Sequence, residues 1–240
     1  MSPDIRKHRG AHPADEKLFA ADQLPALRTA VADLSWLLTH DYTLKSALKL
    51  VGDRHAFTDR QRLAVARAAC SDQSKQHRSD TNLPVAAVAG EELMIDGFNL
   101  IITIEAALSG GLLFRGRDGC IRDLSGVHGS YRLVRETGRA IALAGAALQD
   151  LRPSSSVWFL DRPISNSGRL AQRLHQLSQQ YEWNWQVNVV PNPDTEIIKS
   201  GRSVISADSF VLDQVDRWIN FTSHLLHGWV KNFWLIDLSG

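Results

Sequence analysis

Aspartates follow the apolar runs of this sequence at points where buried strands would end; they are Asp96, Asp161, Asp194 and Asp208. Because the carboxyl ends of parallel strands meet at one edge of an open sheet, we expect these side chains to converge in one crevice. Clustered carboxylates raise one another's pKa values, and a divalent cation would neutralise them. Oxygen ligands suit Mg²⁺ or Mn²⁺. The pattern therefore predicts metal-dependent hydrolysis of phosphodiester bonds.

Each aspartate has a simpler explanation when it is considered alone, because aspartate commonly caps helices and begins turns. The coincidence of four such positions favours a shared site. All four are candidate catalytic residues. Asp96, Asp161 and Asp208 are the candidate metal ligands, and Asp194 is a fourth ligand or a base.

Further polar residues are candidate substrate ligands because they could contact phosphate near this edge. Arginine forks match phosphate oxygens, helix amino termini offer backbone amides, and histidine can carry a proton or hold a phosphate. The candidates are Asn99, Arg122, His128, Arg132, Asn166 and Ser167. Structural roles as helix caps, ion-paired surface groups or satisfied buried groups remain open for each of them.

The elements that must position these residues alternate between strand and helix after about residue 83. Strands are predicted at 93–95, 157–160, 185–190, 204–206 and 233–238, and helices at 99–108, 127–148, 167–181 and 210–227. Asp118-Gly119 between apolar residues indicates a hairpin within 112–124. Continuous apolar strands alternating with helices predict a parallel sheet that is covered on both faces.

The first part of the chain has the spacing of helices instead. Leu24, Leu27, Val31, Leu34 and Leu38 recur every three or four residues, which places them on one helix face. The run Thr58–Gln61 fits a capping box at the start of a later helix. The polar stretch 71–80 predicts a linker, so we divide the chain into a helical domain at 1–82 and an α/β domain at 83–240. The helical domain could bind RNA or a protein partner, or mediate homo-oligomerisation.

Composition limits the class of protein. The chain has 240 residues, a formal charge of +1, 44% hydrophobic residues and 22% charged residues, which is typical of globular proteins. We expect no membrane-spanning helix and no secretory signal. Two cysteines cannot build a disulfide framework and lack metal-ligand spacing. These features predict a reduced, cytoplasmic protein that does not enter a membrane. The near-zero charge excludes a uniformly basic nucleic-acid coat, but it leaves room for a local basic surface.

Short motifs around the aspartates add a family resemblance. The run 95–101, with Asp96-Gly97-Phe98-Asn99, resembles the opening motif of the NYN branch of the PIN-like superfamily, in which Tyr usually stands at the position of Phe98. The runs 159–163, 193–198 and 204–209 resemble its later acidic motifs. The resemblance covers about residues 90–238. The whole chain is also similar to an uncharacterised family that joins a helical amino-terminal domain of unknown function to such a domain.

This resemblance implies a three-layer α/β/α fold with a central, mainly parallel sheet. It also implies a Mg²⁺- or Mn²⁺-dependent nuclease site that usually acts on RNA. Many superfamily members have lost activity, so the alternative is an inactive PIN-like module that binds RNA or protein. A phosphatase or phosphotransferase would use the same carboxylates, although no Walker-type glycine loop supports nucleotide binding.

Overall fold

The amino-terminal part is helical, as the apolar spacing predicts. The computed structural model describes residues 9–125 and 131–240. In these ranges the helices before the first strand are α1 (Asp15–Leu18), α2 (Leu24–Thr39), α3 (Leu44–Arg54), α4 (Asp59–Ala68) and α5 (Asp72–Asp80). Leu27, Val31 and Leu34 lie on the buried face of α2. The Thr58 hydroxyl accepts from the Gln61 amide, and the Gln61 side chain accepts from the Thr58 amide, which confirms the capping box.

The prediction of a linker at 71–80 is wrong, because this stretch forms α5. The hydroxyl of Ser71 caps the helix by accepting from the Ser74 amide at 3.0 Å. Arg78 is only 3% exposed and pairs with Asp118 at 2.6 Å and Asp213 at 2.8 Å. Since α5 is held by charge pairs and not by an apolar stripe, its sequence lacks the hydrophobic period that identifies most helices.

The α/β part contains two sheets. Within the described ranges the strands are β1 (Glu92–Asp96), β2 (Leu112–Arg115), β3 (Ile121–Asp123), β4 (Ser155–Asp161), β5 (Trp185–Val190), β6 (Ser203–Ile205) and β7 (Trp234–Asp237). The central sheet has the order β5-β4-β1-β6, and all its pairs are parallel. The predicted parallel sheet is therefore confirmed. A single turn of 3-10 helix, Val85–Val88, precedes β1.

Helices cover both faces of the central sheet. They are α6 (Gly97–Leu108), α7 (Thr137–Leu151), α8 (Ser167–Gln180), α9 (Pro193–Lys199), α10 (Ser209–Leu212) and α11 (Phe221–Trp229). Ile95 and Trp158 point into a core shared with α6, α7, α8 and α11. The alternate residues Met94 and Val157 pack with α9 and α10. This alternation, which follows from the two-residue period of a strand, makes the fold a three-layer α/β/α arrangement.

Two of the predicted helices have different bounds. The helix predicted at 127–148 is Thr137–Leu151, and residues 126–130 lie outside the described ranges. The helix predicted at 210–227 is two helices, α10 and α11. Trp218 lies between them, forms isolated parallel bridges with Asn82 and Val204, and donates its indole N–H to the carbonyl of Arg78 at 2.8 Å. These pairings require an extended backbone, so the helix cannot continue through this point.

The second sheet has the order β3-β2-β7. Strands β2 and β3 are antiparallel around Asp118-Gly119, and Gly119 has a φ of 76°, which confirms the predicted hairpin. The strand predicted at 233–238 pairs with β2 in this sheet.

The helical part packs on this second sheet. The rings of Phe19 and Phe114 lie 5.1 Å apart, and Leu27, Ile236 and Leu238 belong to the same buried cluster. In the parts of the chain that the structure describes, no helix is both long and apolar enough to cross a membrane.

Candidate functional site

The four predicted aspartates line one cavity of about 630 Å³ at the carboxyl edge of the central sheet. Asp96 and Asp161 are the last residues of the neighbouring strands β1 and β4. Asp208 follows β6 and caps α10, and Asp194 lies in the first turn of α9, after β5. The parallel order of the strands therefore brings these four side chains together.

Asp96 is the most buried of the four, with 7% exposure. It caps α6, because its Oδ1 accepts from the Asn99 amide at 3.2 Å. Its Oδ2 accepts from the Ser206 hydroxyl at 3.0 Å. Burial raises the pKa of Asp96 to about 7, with further contributions from the charges of Asp208 and Asp194, although the two hydrogen bonds oppose the shift. This carboxyl group therefore ionises at far higher pH than an exposed aspartate.

Asp161 and Asp194 are half-buried, and burial raises the pKa of both. The charges of Asp208 and Asp161 raise the pKa of Asp194 further. The carboxylate of Asp208 accepts from the Phe210 amide at 2.8 Å and the Val211 amide at 3.3 Å. Across residues 9–125 and 131–240, none of the four forms an ion pair with a basic side chain. The four carboxylates therefore have no ion-pair partner of their own, because the arginines that also line the cavity, Arg67 and Arg122, pair with Asp123 and Asp118.

A hydrogen-bonded junction holds the loops after β1 and β6 against each other. The Asn99 side-chain oxygen accepts from the Ala207 amide at 2.9 Å. The Ser206 hydroxyl, which donates to Asp96, also accepts from the Asp208 amide at 3.0 Å. Asn99 and Ser206 therefore fix the positions of Asp96 and Asp208 relative to each other.

Gly97 allows α6 to begin close to β4. A Cβ atom at this position would lie 2.6 Å from Cδ2 of Leu160 and 3.0 Å from the carbonyl oxygen of Phe159. The second distance involves backbone, which cannot swing aside as a flexible side chain can. The glycine after Asp96 is therefore required by close packing of the first helix on the neighbouring strand.

Arg122 ties the loop after β6 to the helical part. Its Nε donates to the Ala207 carbonyl at 2.7 Å, and Nη1 donates to the Arg67 carbonyl at 3.1 Å. Both Nη atoms bind Asp118, at 2.9 and 2.6 Å. Arg122 lines the cavity but is only 8% exposed. Since its guanidinium is engaged by protein acceptors, its contacts are those of a structural tie and not of a free phosphate ligand.

The helical part supplies a wall of the same cavity. Leu44, Leu63, Ala66 and Arg67 line it from α3 and α4. Arg67 donates to the carbonyl of Asp123 and lies 3.7 Å from its Oδ1. Sequence reasoning missed this wall, because no motif in α3 or α4 indicates which helix face meets the α/β part.

Several predicted substrate ligands lie elsewhere. Asn99 and Arg122 line the cavity, whereas Arg132, Asn166 and Ser167 do not. Arg132 is exposed, and Ser167 is buried in the first turn of α8. Asn166 has a φ of 66° and donates its side-chain N–H to the Tyr131 carbonyl at 2.7 Å, so it links two loops. His128 lies outside the described residues.

Glu105 is fully buried away from the cavity. It accepts from the hydroxyls of Tyr131 at 2.6 Å and Thr137 at 2.5 Å and pairs with Arg9. Its bonds join the segment around Arg9 to α6 and α7, which is a structural role.

The donor set fits a divalent cation in chemistry, because every candidate ligand is a carboxylate oxygen and none of the four forms an ion pair with a described basic side chain. In the described parts of the chain, however, no group of three or more His, Cys, Asp or Glu side chains is placed to hold a metal ion. Asp96 engages both carboxylate oxygens, with the Asn99 amide and the Ser206 hydroxyl, and Asp208 engages Oδ1 with the first amides of α10. Gathering three carboxylates around one ion therefore requires side-chain rotation.

A three-layer α/β/α fold with an acidic cavity at the carboxyl edge of its parallel sheet places the protein among open-sheet α/β proteins, which carry their sites at this edge. The chain belongs to the family described as Domain of unknown function (DUF5616), whose model matches residues 85–224. Residues 26–80 match the model of Protein of unknown function (DUF434). An uncharacterized protein of Methanocaldococcus jannaschii, MJ0935, is 26% identical over 187 residues, which span 78% of this chain and 89% of the relative. No solved structure matches the chain.

Proposed function

We propose that this protein is a Mg²⁺- or Mn²⁺-dependent ribonuclease. Asp96, Asp161 and Asp208 hold the cation, and Asp194 serves as a fourth ligand or as a base. The observation that carries this proposal is the set of four carboxylates, none of them in an ion pair among the described residues, around one cavity at the carboxyl edge of a parallel sheet. The resemblance of the surrounding motifs to the NYN branch of the PIN-like superfamily supports the same function.

A cation is needed because the carboxylates alone would repel a phosphodiester. When bound, Mg²⁺ or Mn²⁺ supplies a water of lowered pKa and stabilises the oxygens of an in-line displacement. The chain's own part is to orient its ligands. The Asn99 amide and Ser206 hydroxyl hold Asp96, and the first amides of α10 hold Asp208. Asp194 is half-buried in the first turn of α9 and lines the same cavity, so its carboxylate is available as a proton acceptor.

The direct test is cleavage of labelled single-stranded and hairpin RNA by the full chain with Mg²⁺, with Mn²⁺ or with EDTA. We expect cleavage with either cation and none with EDTA. Asp96→Asn, Asp161→Asn and Asp208→Asn should each lower the rate, and Asp194→Asn should lower it by about 100-fold or more if Asp194 is the base. Asp150→Asn, which changes an exposed aspartate of α7 away from the cavity, is the matched control. An Asp96→Asn protein as active as the wild type would contradict the assignment.

The described residues contain no three-ligand group, and this favours a second candidate, a non-catalytic module that binds RNA or protein. This candidate requires binding that survives Asp96→Asn and does not depend on a cation. In the ribonuclease proposal the partner is RNA, the location is the cytoplasm, and the helical part contacts the substrate or mediates oligomerisation. Size-exclusion chromatography with light scattering would show whether the chain forms oligomers.

A further inference from the structure

The acidic cavity has an apolar mouth. Phe210 lines it and is 59% exposed, and Leu44 lines it and is 47% exposed. Leu63 and Ala66, both half-buried, extend this apolar surface on α4. The cavity therefore combines carboxylate oxygens with aromatic and aliphatic surface contributed by two parts of the chain.

Phe210 is distinctive among the exposed aromatic side chains of the described residues. These are Trp36, Tyr42, Tyr181, Phe210 and Trp229, and of them only Phe210 lines the cavity. Its amide donates to Oδ1 of Asp208 at 2.8 Å, so its backbone is fixed beside one of the four carboxylates. Burial in the core does not explain a phenylalanine with this exposure. Phe210 instead lies next to the candidate site, where its exposed ring can contact a ligand.

We propose that Phe210 stacks on an unpaired base of the RNA strand, with Leu44 and Leu63 completing an apolar slot for that base. This inference rests on the proposed ribonuclease function and adds its substrate class, a single-stranded region of RNA. An aromatic face can stack on any base, but the faces of a paired base are covered by its neighbours in the duplex. The slot therefore selects unpaired nucleotides with little preference for sequence.

A nucleotide strand matches both chemistries of the cavity within one ligand. Its phosphate can approach the carboxylates of the cavity once a cation neutralises them. Its base offers a flat apolar ring to Phe210. Arg67, half-buried on the same helical wall, adds a guanidinium at the edge of the cavity. The helical part is thus one side of the binding site.

The test measures binding of a fluorescein-labelled single-stranded oligoribonucleotide by anisotropy in Mg²⁺. It uses Asp194→Asn protein, so that the strand stays intact while Asp96, Asp161 and Asp208 remain available to the cation. Adding Phe210→Ala should weaken binding by about 5- to 150-fold, because base–aromatic stacking contributes about 1–3 kcal/mol per base. Phe210→Trp should keep the affinity, and Tyr181→Ala, a change at an exposed aromatic outside the cavity, should leave it unchanged. A blunt-ended, fully paired RNA duplex should bind weakly, with no dependence on Phe210.

A second measurement tests whether Phe210 acts through a base. An oligonucleotide of the same length without bases should bind more weakly than the complete strand when Phe210 is present, and this difference should shrink in the Phe210→Ala protein. Thermal melting of each variant checks that it is folded. Cleavage by the wild type together with unchanged binding by Phe210→Ala would overturn the stacking inference alone. Binding that depends on Phe210 without any cleavage would uphold the stacking inference and overturn the nuclease. No RNA binding by the wild type would overturn both.

Discussion

At the scale of single residues, the buried carboxyl group of Asp96 makes folding depend on pH. Its pKa is about 7 in the folded protein, mainly because of burial, against an ordinary value of 3.8. Between these two values the folded chain binds more protons than the unfolded chain. The contribution of Asp96 to the free energy of unfolding therefore falls as the pH rises from about 4 through 7.

Asp96→Asn should remove this dependence while keeping an acceptor for the α6 cap. With EDTA present, we expect the variant to melt at a higher temperature than the wild type above pH 7, and the two to converge below pH 4. The gain should be at most a few kcal/mol, since one pKa unit corresponds to about 1.4 kcal/mol. Melting curves from about pH 3 to pH 8 measure it. A gain of equal size at every pH would show that burial of the charge is not its cause.

Gly97→Ala should destabilise the protein, because the added methyl group meets the Phe159 carbonyl and the Leu160 side chain. Overpacking of this kind costs about 1–3 kcal/mol. It should also lower any cleavage rate, since Asp96 is the preceding residue. Urea denaturation gives the stability change. Gly168→Ala is the matched control, because a Cβ there meets nothing within 4 Å, and it should cost little or even stabilise α8.

At the scale of elements, Asp118 joins α5, the β2–β3 hairpin and the loop after β6 through Arg78 and Arg122. Burial would raise the pKa of Asp118, but the charges and hydrogen bonds of Arg122 and Arg78 outweigh it and lower the pKa to about 2. Because this folded-state pKa lies below the ordinary value of 3.8, the contribution of Asp118 is complete above about pH 4. It is lost as the pH falls through 2.

Asp118→Asn should therefore destabilise the protein by about 3 kcal/mol at pH 7, because two buried guanidinium groups lose their shared carboxylate. The difference from the wild type should shrink towards pH 2. Asp53→Asn is the control. Asp53 also has two basic partners, Lys49 and Arg62, but it lies at the surface, where ion pairs contribute little. Equal effects of the two changes in denaturant titrations would contradict the importance of burial.

These elements also show which parts of the fold the sequence patterns predicted and which parts they missed. Apolar runs predicted the central strands because both faces of the sheet are covered, and Asp118-Gly119 predicted the hairpin because glycine accepts a positive φ. The run 71–80 did not predict α5, because Arg78 pairs with residues distant in sequence. The break before α11 depends on Trp218 pairing beside β6, which no local pattern records.

At the scale of the whole molecule, the edge aspartates were predictable because parallel strands place their carboxyl ends together. The helical wall of the cavity was not predictable, because it depends on how α3 and α4 pack against the α/β part. Docking also decides whether a predicted phosphate ligand reaches the cavity. Arg122 lies there but binds Asp118 and Ala207, whereas Asn166 lies elsewhere and supports Tyr131.

The helical and α/β parts should unfold together. Phe19 and Leu27 share a buried cluster with Phe114 and Ile236 of the second sheet, so the helical part and the second sheet both lose this core when they separate. We expect one cooperative transition in calorimetry, with equal calorimetric and van't Hoff enthalpies. Two separated transitions, or a stable and monomeric fragment 83–240, would show instead that the parts are independent.

The pairing of β2 with β7 also sets the order in which parts of the protein fold. Arg115 and Asp237 are partners in this pairing although they lie 122 residues apart along the chain. Contacts between such distant residues form slowly, because a long loop must close first. The helices pack on Ile236 and Leu238, so their core waits for that closure even though they are synthesised first. A ribosome-bound chain that stops short of β7 would therefore leave the apolar faces of these helices uncovered. Chaperones could bind these faces, and aggregation could begin at them.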